Sequence, residues 1–291
     1  MIGIFNVNKP LHATSHDVVD ALRRLTGVRR IGHTGTLDPL ATGVLVLLVG
    51  PATRLARFLA GAAKSYRAVI RLGGATATYD AESEILERRP VRADQATLAA
   101  ALDNFRGELA QIPPMYSAIK IKGQPLYKLA RRGEEIARPA RSVTIHELEL
   151  LAWESPDLTV DVRCSAGTYI RSLAHDLGAA LGCGGHLRSL VRTAVGEFQL
   201  ADSYTLEELS ALAAENRLRE ALLPSQTILS ALPVVELTSA QVADVRYGRQ
   251  ITLEAAPAAA QLQAHNPQGE LVALLVPIQE RWRPNLVLSA N

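Results

Sequence analysis

The segment Gly32-His-Thr-Gly-Thr-Leu-Asp38-Pro39-Leu-Ala-Thr-Gly43 runs directly into the apolar run Val44-Leu-Val-Leu-Leu-Val49. The glycines permit backbone angles that other residues avoid, and Pro39 disfavours a helical conformation at Asp38. We therefore predict that residues 32–43 form an irregular loop and that the apolar run is a fully buried strand. A lone acid on a loop that a core strand anchors is suited to contact a ligand. The same residues are equally consistent with an ordinary Asp-Pro turn.

Strand and helix patterns surround this stretch without a regular βαβ rhythm. Such mixing predicts an α+β fold with a mixed or antiparallel sheet. Residues 224–232 have the composition of a linker. We therefore expect a large domain over residues 1–225 and a small mixed β module over residues 233–291.

Local signals place several elements near the acid loop. Thr14 or Ser15 is predicted to cap a helix that ends at Gly27, and Thr205 a helix that reaches about Leu223. A further helix is predicted over residues 168–181, and a polar loop over residues 74–83. Residues 65–73 alternate as a strand with Tyr66 on its apolar face.

Charge is distributed unevenly along a chain whose formal net charge is only +2. Seven Lys and Arg face three Asp and Glu in residues 1–60, seven face two in residues 115–142, and four face one in residues 163–192. These segments predict one positive face suited to a phosphate backbone. They are also consistent with ordinary solvated charge.

The sequence excludes several common classes of site. Residues 61–65 lack the adjacent Gly-Lys of a phosphate loop, and the chain has no G-x-G-x-x-G, H-E-x-x-H or G-x-S-x-G motif. Cys164 and Cys183 form no C-x-x-C pair, so we expect neither a metal site nor a disulfide framework. No apolar stretch approaches the ~20 residues of a membrane span, and the N-terminus lacks a signal-peptide pattern. We therefore expect a soluble, cytoplasmic protein that needs no cofactor.

Several long motifs follow one another in order along residues 3–225. They are Gly35-Thr-Leu-Asp-Pro-Leu-Ala-Thr-Gly-Val-Leu45, Lys64-Ser-Tyr-Arg-Ala68, Pro113-Pro-Met-Tyr-Ser-Ala-Ile-Lys120, Leu126-Tyr-Lys-Leu-Ala-Arg-Arg-Gly133, Tyr169-Ile-Arg-Ser-Leu-Ala-His-Asp-Leu-Gly178 and Gly185-His-Leu-Arg-Ser-Leu-Val-Arg-Thr193. Together they resemble the signature segments of TruB-type tRNA pseudouridine synthases. The resemblance implies that the chain converts uridine 55 of the tRNA T loop to pseudouridine, with no cofactor and no guide RNA. It also implies a mixed-sheet catalytic domain followed by a PUA-like RNA-binding β module, although the last 60 residues match only weakly.

The resemblance assigns catalytic roles to Asp38, Tyr66 and Arg171. Isomerisation breaks the N1–C1′ bond, turns the uracil and joins C5 to C1′, so charge develops at C1′ as in glycoside hydrolysis. Asp38 could attack that carbon, stabilise it or assist deprotonation of the sugar. Arg171 is expected to pair with Asp38 and to lower its pKa. Tyr66 is expected to stack on the base, because ionising a phenol of pKa ~10 at neutral pH costs about 4 kcal/mol.

The target base must leave its stack to react, which costs a few kcal/mol. In the family, a histidine at the position of His33 fills the space that the base leaves, and a leucine at Leu190 packs on the flipped base. A capped turn and plain core are the alternative interpretations of these two residues. The candidates for phosphate contacts are Lys120, Lys122, Lys128, Arg131, Arg132, Arg141 and Arg192.

Two other classes of function use the same basic face. One is a tRNA-binding or folding chaperone without chemistry, which needs neither Asp38 nor Arg171. The other is the synthase subunit of a guide-RNA-dependent complex, which needs protein partners. We expect a monomer that binds the T arm of tRNA without an obligate protein partner. Asn8 and His12 stand where the family more often has Asp and Gly.

Overall fold

The computed structural model describes residues 1–288 except residues 118, 122, 131 and 135. The strands, in chain order, are β1 Gly3–Lys9, β2 Ile31–His33, β3 Ala41–Val49, β4 Lys64–Leu72, β5 Gly74–Thr76, β6 Ile85–Arg88, β7 Gly107–Gln111, β8 Lys120–Ile121, β9 Gln124–Pro125, β10 Arg141–Glu154, β11 Asp157–Cys164, β12 Gly185–Val195, β13 Phe198–Gln199, β14 Val234–Glu236, β15 Leu262–His265, β16 Leu271–Ile278 and β17 Arg281–Val287. The α-helices are α1 Ser15–Thr26, α2 Ala56–Ala60, α3 Gln95–Asp103, α4 Leu126–Ala130, α5 Ile170–Ala180, α6 Leu206–Ala214 and α7 Ser239–Arg246.

One mixed sheet organises the larger part of the chain. In the part that the structure describes, its order is β1-β3-β12-β4-β11-β10-β7, with β2 added to β3 and β13 to β12. The strands β3 and β12 run parallel, whereas the other pairs of this sheet run antiparallel. The α+β class with a mixed sheet, predicted from the sequence, is confirmed.

The apolar run after the acid loop is a central strand that is buried on both faces. In β3, Leu45 and Leu47 enter the main core, while Val44 and Val46 enter a second cluster on the opposite face of the sheet. This two-sided burial explains why the segment is continuously apolar rather than alternating. The predicted loop is shorter than expected, because β2 ends at His33 and β3 starts at Ala41.

The helix ends predicted from capping residues agree with the structure where the capping contacts are local in sequence. Thr14 and Asp17 form a reciprocal capping box at the start of α1, and Gly27 ends the helix with a φ of 69°. The helix predicted from Thr205 to about Leu223 is wrong in length. It ends at Ala214, the chain turns at Asn216 with a φ of 58°, and only a 3₁₀ turn follows.

The segment 74–83 is not the polar loop that its composition predicts. It begins with β5, which pairs with β6, and the side chains of Thr76, Thr78 and Asp80 are buried. Polar residues are tolerated in this position because they bond one another. Thr76 donates to the Asp80 carbonyl, and Thr78 donates to the Asp80 carboxylate.

The C-terminal residues form a separate β module with its own core. Strands β14–β17 make a four-stranded sheet, and α7 packs on β16 and β17. Leucines from both parts of the chain, such as Leu55 and Leu274, join in one cluster that attaches the module to the larger part. The domain limits at residues 225 and 233 stay predictions. Within the described residues, no helix has the length and apolar character required to cross a membrane.

Candidate active site

Asp38 lies on a short loop that is held from two sides. Ser15, at the start of α1, accepts a hydrogen bond from the Leu37 amide at 2.9 Å and donates to the Leu37 carbonyl at 3.1 Å. The amide of His12 donates to the Pro39 carbonyl at 2.9 Å. His12 has a φ of 65°, a left-handed conformation that glycine adopts more readily. These bonds fix the backbone on both sides of the carboxylate.

Arg171, in the first turn of α5, joins the acid loop to the segment 74–83. The guanidinium lies 3.0 Å from the Asp38 carboxylate and 3.3 Å from the Asp80 carboxylate. It also donates to the carbonyls of Thr78 at 3.2 Å and Tyr116 at 2.8 Å. Because the Arg171 side chain is only 6% exposed, these four partners replace its hydration.

Asp80 is a site residue that the sequence prediction missed. Its side chain is 1% exposed, and it accepts the Glu82 amide at 3.0 Å in addition to its contacts with Thr78 and Arg171. No local pattern signals this role, because Asp80 follows a turn in which Tyr79 has a φ of 63°, and its partner Arg171 is distant in sequence.

Arg171 acts on the Asp38 pKa in the expected downward direction, but burial outweighs it. Burial raises the pKa of the Asp38 carboxyl above its usual range and Asp80 adds to the rise, whereas Arg171 and Lys9 oppose it. The Asp38 side chain retains 40% of its exposure at the pocket mouth, although protein atoms crowd the carboxylate. Since Arg171 also pairs with Asp80, its guanidinium does not compensate fully for the desolvation of Asp38.

The Asp38 carboxylate faces a cavity of about 310 Å³. Tyr66 of β4 and Leu190 of β12 provide its walls and are 7% and 8% exposed. Burial raises the pKa of Tyr66 to about 12, so the phenol is neutral at pH 7. The cavity is lined by Gly35, Thr36, Leu37, Asp38, Lys64, Tyr66, Ser117, Gly167, Thr168, Tyr169, Ile170, Arg171, Leu190 and Arg192.

Arg192 does not lie where the sequence prediction expected it. The side chain was predicted to contact RNA phosphates, but it is only 1% exposed. Its guanidinium donates to the carbonyls of Val44 at 2.7 Å and Gly35 at 3.1 Å. The prediction of a surface phosphate contact is therefore corrected, since this arginine instead supports the cavity from within the sheet.

The remaining predicted RNA contacts lie in different settings. Lys128, Arg132 and Arg141 are exposed. Lys122, Arg131 and the Lys120 side chain lie outside the described residues. His33 is half-buried, its Nδ1 has no hydrogen-bond partner among the described residues, and burial lowers its pKa. The roles of these residues stay predictions.

Two buried lysines were also absent from the predicted site. Lys9 is fully buried and donates to the carbonyls of Pro10 and Ala13 at 2.9 and 2.6 Å. Desolvation lowers the pKa of Lys9 to about 8, although nearby Asp38 opposes the shift. Lys64 lines the cavity beside Tyr66. No group of His, Cys, Asp and Glu side chains among the described residues is arranged to hold a metal ion.

Comparison with known proteins accounts for nearly the whole chain. Residues 23–170 match the N-terminal domain of the TruB family of pseudouridylate synthases. Residues 171–230 match the tRNA pseudouridylate synthase B C-terminal domain, and residues 232–289 match the tRNA pseudouridine synthase II C-terminal domain.

Similar proteins and solved structures agree with these matches. The tRNA pseudouridine synthase B of Dehalococcoides mccartyi strain CBDB1 is 44% identical over 98% of this chain and 95% of its own length. That of Thiobacillus denitrificans is 46% identical over 94% of this chain and 91% of its own length. A chain in an H/ACA ribonucleoprotein bound to a substrate RNA superposes with a TM-score of 0.74 at 25% identity, over 99% of this chain and 85% of that one. A chain of a Cbf5-Nop10-Gar1 complex superposes with a TM-score of 0.72 at 28% identity, over 99% of this chain and 84% of that one. The chain belongs to the TruB family of pseudouridylate synthases.

Proposed function

We propose that this chain is a tRNA pseudouridine synthase that isomerises uridine 55 of the T loop. The observation that supports this most is the pairing of the Asp38 carboxylate with Arg171 at 3.0 Å, at the mouth of a cavity with Tyr66 and Leu190 in its walls. A cavity of about 310 Å³ is at the small end of ligand pockets, which suits one flipped nucleoside rather than a duplex. Relatives that are 44–46% identical bear the name tRNA pseudouridine synthase B.

The reaction requires a single carboxylate at the sugar. Breaking N1–C1′ leaves the bonding electrons on the uracil, and the positive charge that develops at C1′ is stabilised or captured by Asp38. The base then turns and C5 bonds to C1′, which breaks any bond between Asp38 and C1′. The proton on C5 leaves and N1 takes up a proton. Among the described lining residues Asp38 is the one acid, so the cavity lacks the acid pair of a hydrolase. Water is excluded because it would capture C1′.

The walls of the cavity would hold the base during this turn. Tyr66 stacks on the uracil and Leu190 packs on it. With a pKa of about 12, Tyr66 would need about 7 kcal/mol to ionise at pH 7, so it does not enter the reaction as a phenolate. The predicted phosphate contacts that remain are Lys120, Lys122, Lys128, Arg131, Arg132 and Arg141.

We further propose that the chain acts in the cytoplasm as a monomer, without a cofactor or an obligate protein partner. A second candidate is suggested by the H/ACA and Cbf5-Nop10-Gar1 structures, which are multi-component complexes. In that case the chain would need a guide RNA and partner proteins to select its uridine.

Tritium release from a tRNA transcript made with [5-³H]uridine tests the proposal, because the new C5–C1′ bond displaces the C5 hydrogen. The purified chain alone is expected to release one equivalent, and a transcript with cytidine at position 55 none. Asp38→Asn should bind the transcript but release nothing, while Asp161→Asn, a carboxylate paired with Arg67 outside the cavity, should behave as wild type. Full release by Asp38→Asn would remove Asp38 from the chemistry. No release by the wild-type chain alone would favour the guide-dependent or the chaperone function.

A further inference from the structure

Lys64 is a cavity residue that the proposed roles do not use. It begins β4, two positions before Tyr66, so both side chains leave the same face of the strand. Lys64 is 8% exposed and lines the cavity. Its Cε and the Arg192 guanidinium both lie beneath Gly35, at 3.5 and 3.6 Å from the position that a Cβ would occupy there. Both cations therefore lie under the loop that carries Asp38.

The ammonium of Lys64 has bonding capacity that the protein does not use. It donates to the Ala62 carbonyl at 2.9 Å, and no carboxylate of the described residues lies within ion-pair distance of it. Arg192, by contrast, donates to two carbonyls, those of Val44 and Gly35. A buried cation without an anion is costly to retain, and burial together with the Arg192 charge lowers the pKa of Lys64. Such a cation points to a ligand that brings negative charge.

The depth of the cavity indicates which part of the nucleotide reaches Lys64. Asp38, the group that would face the sugar, is 40% exposed at the mouth, whereas Lys64 and Tyr66 are 8% and 7% exposed. With the ribose at Asp38, the base extends inward along Tyr66. A backbone phosphate would remain outside with the exposed lysines and arginines, so it does not reach Lys64.

We propose that Lys64 donates a hydrogen bond to a carbonyl oxygen of the flipped uracil and stabilises the base after the glycosidic bond breaks. This inference rests on the proposed function. Cleavage of N1–C1′ leaves an electron pair on N1, which the ring delocalises onto O2 and O4, so the detached base is an anion. An ammonium already fixed in a water-poor site stabilises this anion without reorganising. Formation of the C5–C1′ bond neutralises the base, loss of the C5 proton returns an electron pair to the ring, and uptake of a proton at N1 completes the isomer. One proton leaves C5 and one arrives at N1, so Lys64 itself gives up no net proton.

Three variants and a matched control test this role under single-turnover conditions. Lys64→Met removes the charge, Lys64→Gln keeps a neutral donor, and Lys64→Arg keeps the cation. Arg67→Met is the control, since it removes a positive charge from the opposite, exposed face of the same strand. The readouts are the rate of tritium release at saturating enzyme, the dissociation constant for the transcript and the far-ultraviolet circular dichroism of each variant.

Lys64→Met is expected to react about 10²–10³-fold more slowly, as after loss of one preorganised donor, with unchanged RNA affinity. The reaction rate of Lys64→Gln should lie between those of Lys64→Met and wild type. Lys64→Arg should recover most of the wild-type rate, and Arg67→Met should react at the wild-type rate. A Lys64→Met rate equal to wild type, or a loss of affinity at an unchanged rate, would overturn the proposal. If Lys64→Met does not fold, Lys64→Gln is judged by the same two criteria. Inactive wild-type enzyme would instead contradict the proposed function.

The pH dependence gives a readout that a purely structural lysine would not move. Activity that depends on the Lys64 ammonium falls as the pH rises through its lowered pKa. Lys64→Arg should displace this decline to higher pH, because an arginine stays charged throughout the range. A decline that is identical in wild type and Lys64→Arg would assign it to another group, such as Lys9, and would count against Lys64.

Discussion

Replacing Gly178 with alanine should damage the site from a distance. Gly178 lies in the last turns of α5, where the chain folds back into β12. An added Cβ would lie 2.1 Å from the Gly185 amide nitrogen, while real Cβ contacts are essentially never shorter than 3.0 Å. The helix and the start of the strand must therefore separate by about 0.9 Å. Both elements carry cavity residues, Arg171 on α5 and Leu190 on β12.

The expected effect on activity is larger than the effect on stability. Overpacking costs about 1–3 kcal/mol, and alanine recovers about 1 kcal/mol because glycine is a poor helix former. The melting temperature should thus fall by only a few degrees, at about 2–4 °C per kcal/mol for a chain of this size. A misplacement approaching 1 Å between catalytic groups can cost about 10²-fold in rate. We expect kcat/KM to fall by that order.

Gly182→Ala is the matched control, because Gly182 follows the same helix with a φ of 71°, but no atom of the described residues lies within 4 Å of an added Cβ. It should lose about 1–2 kcal/mol from the left-handed backbone alone and retain wild-type kcat/KM. Thermal unfolding and tritium release measure the two effects separately. If Gly178→Ala is as active as Gly182→Ala, the close packing of α5 on β12 does not position the site.

Three further predictions follow from the charges around the site. Asp38→Asn should be at least as stable as wild type at pH 7. Because the carboxyl pKa is raised on folding, its stabilising effect is present below the unfolded pKa and is lost as the pH rises through the folded pKa. The amide of asparagine does not titrate, so the variant does not undergo this loss. Urea unfolding measures it, and a clearly less stable variant would contradict the direction of the shift. In the same assay, Arg171→Lys should lower the free energy of unfolding by about 3–5 kcal/mol, because an ammonium cannot satisfy Asp80, Asp38 and two carbonyls together. A loss below about 1 kcal/mol, which is the size of a surface ion pair, would be incompatible with this network. The free energy of unfolding of wild type should rise by up to about 3 kcal/mol between pH 8 and 10.5, because the unfolded Lys9 still binds the proton that the folded one releases at about pH 8. Lys9→Met should lack this rise, and equal pH profiles of the two proteins would show that Lys9 titrates normally.

The sequence predicted those parts of the fold whose causes are local. The capping box of Thr14, the end of α1 at Gly27 and the buried face of β4 with Tyr66 all depend on residues within a few positions. The α+β class followed from the mixture of such elements. The motifs also brought Asp38, Arg171 and Tyr66 into one hypothesis, and the three side chains line one cavity.

The parts that escaped prediction depend on contacts distant in sequence. Arg192 is buried because parallel pairing of β12 with β3 sets it opposite Gly43, whose Cβ would lie 2.2 Å from the Arg192 carbonyl. Asp80 has the sequence context of a loop residue, and its role depends on Arg171 of α5, which contacts it only in the folded chain. Lys64 was read only as part of a motif, because its missing counter-ion is visible only when its neighbours in space are known.

The second carboxylate on Arg171 explains how one acid can remain reactive beside a buried guanidinium. If Arg171 faced Asp38 alone, the pair would be neutral and the carboxylate strongly stabilised in its ground state. Burial raises the pKa of Asp38 and the charge of Asp80 adds to the rise, so the opposing effect of Arg171 does not lower it. A carboxylate that interacts less strongly with Arg171 in the ground state gives up less interaction energy when it turns to the developing charge at C1′. The network therefore positions Asp38 without neutralising it, and transition-state interactions can exceed those in the ground state.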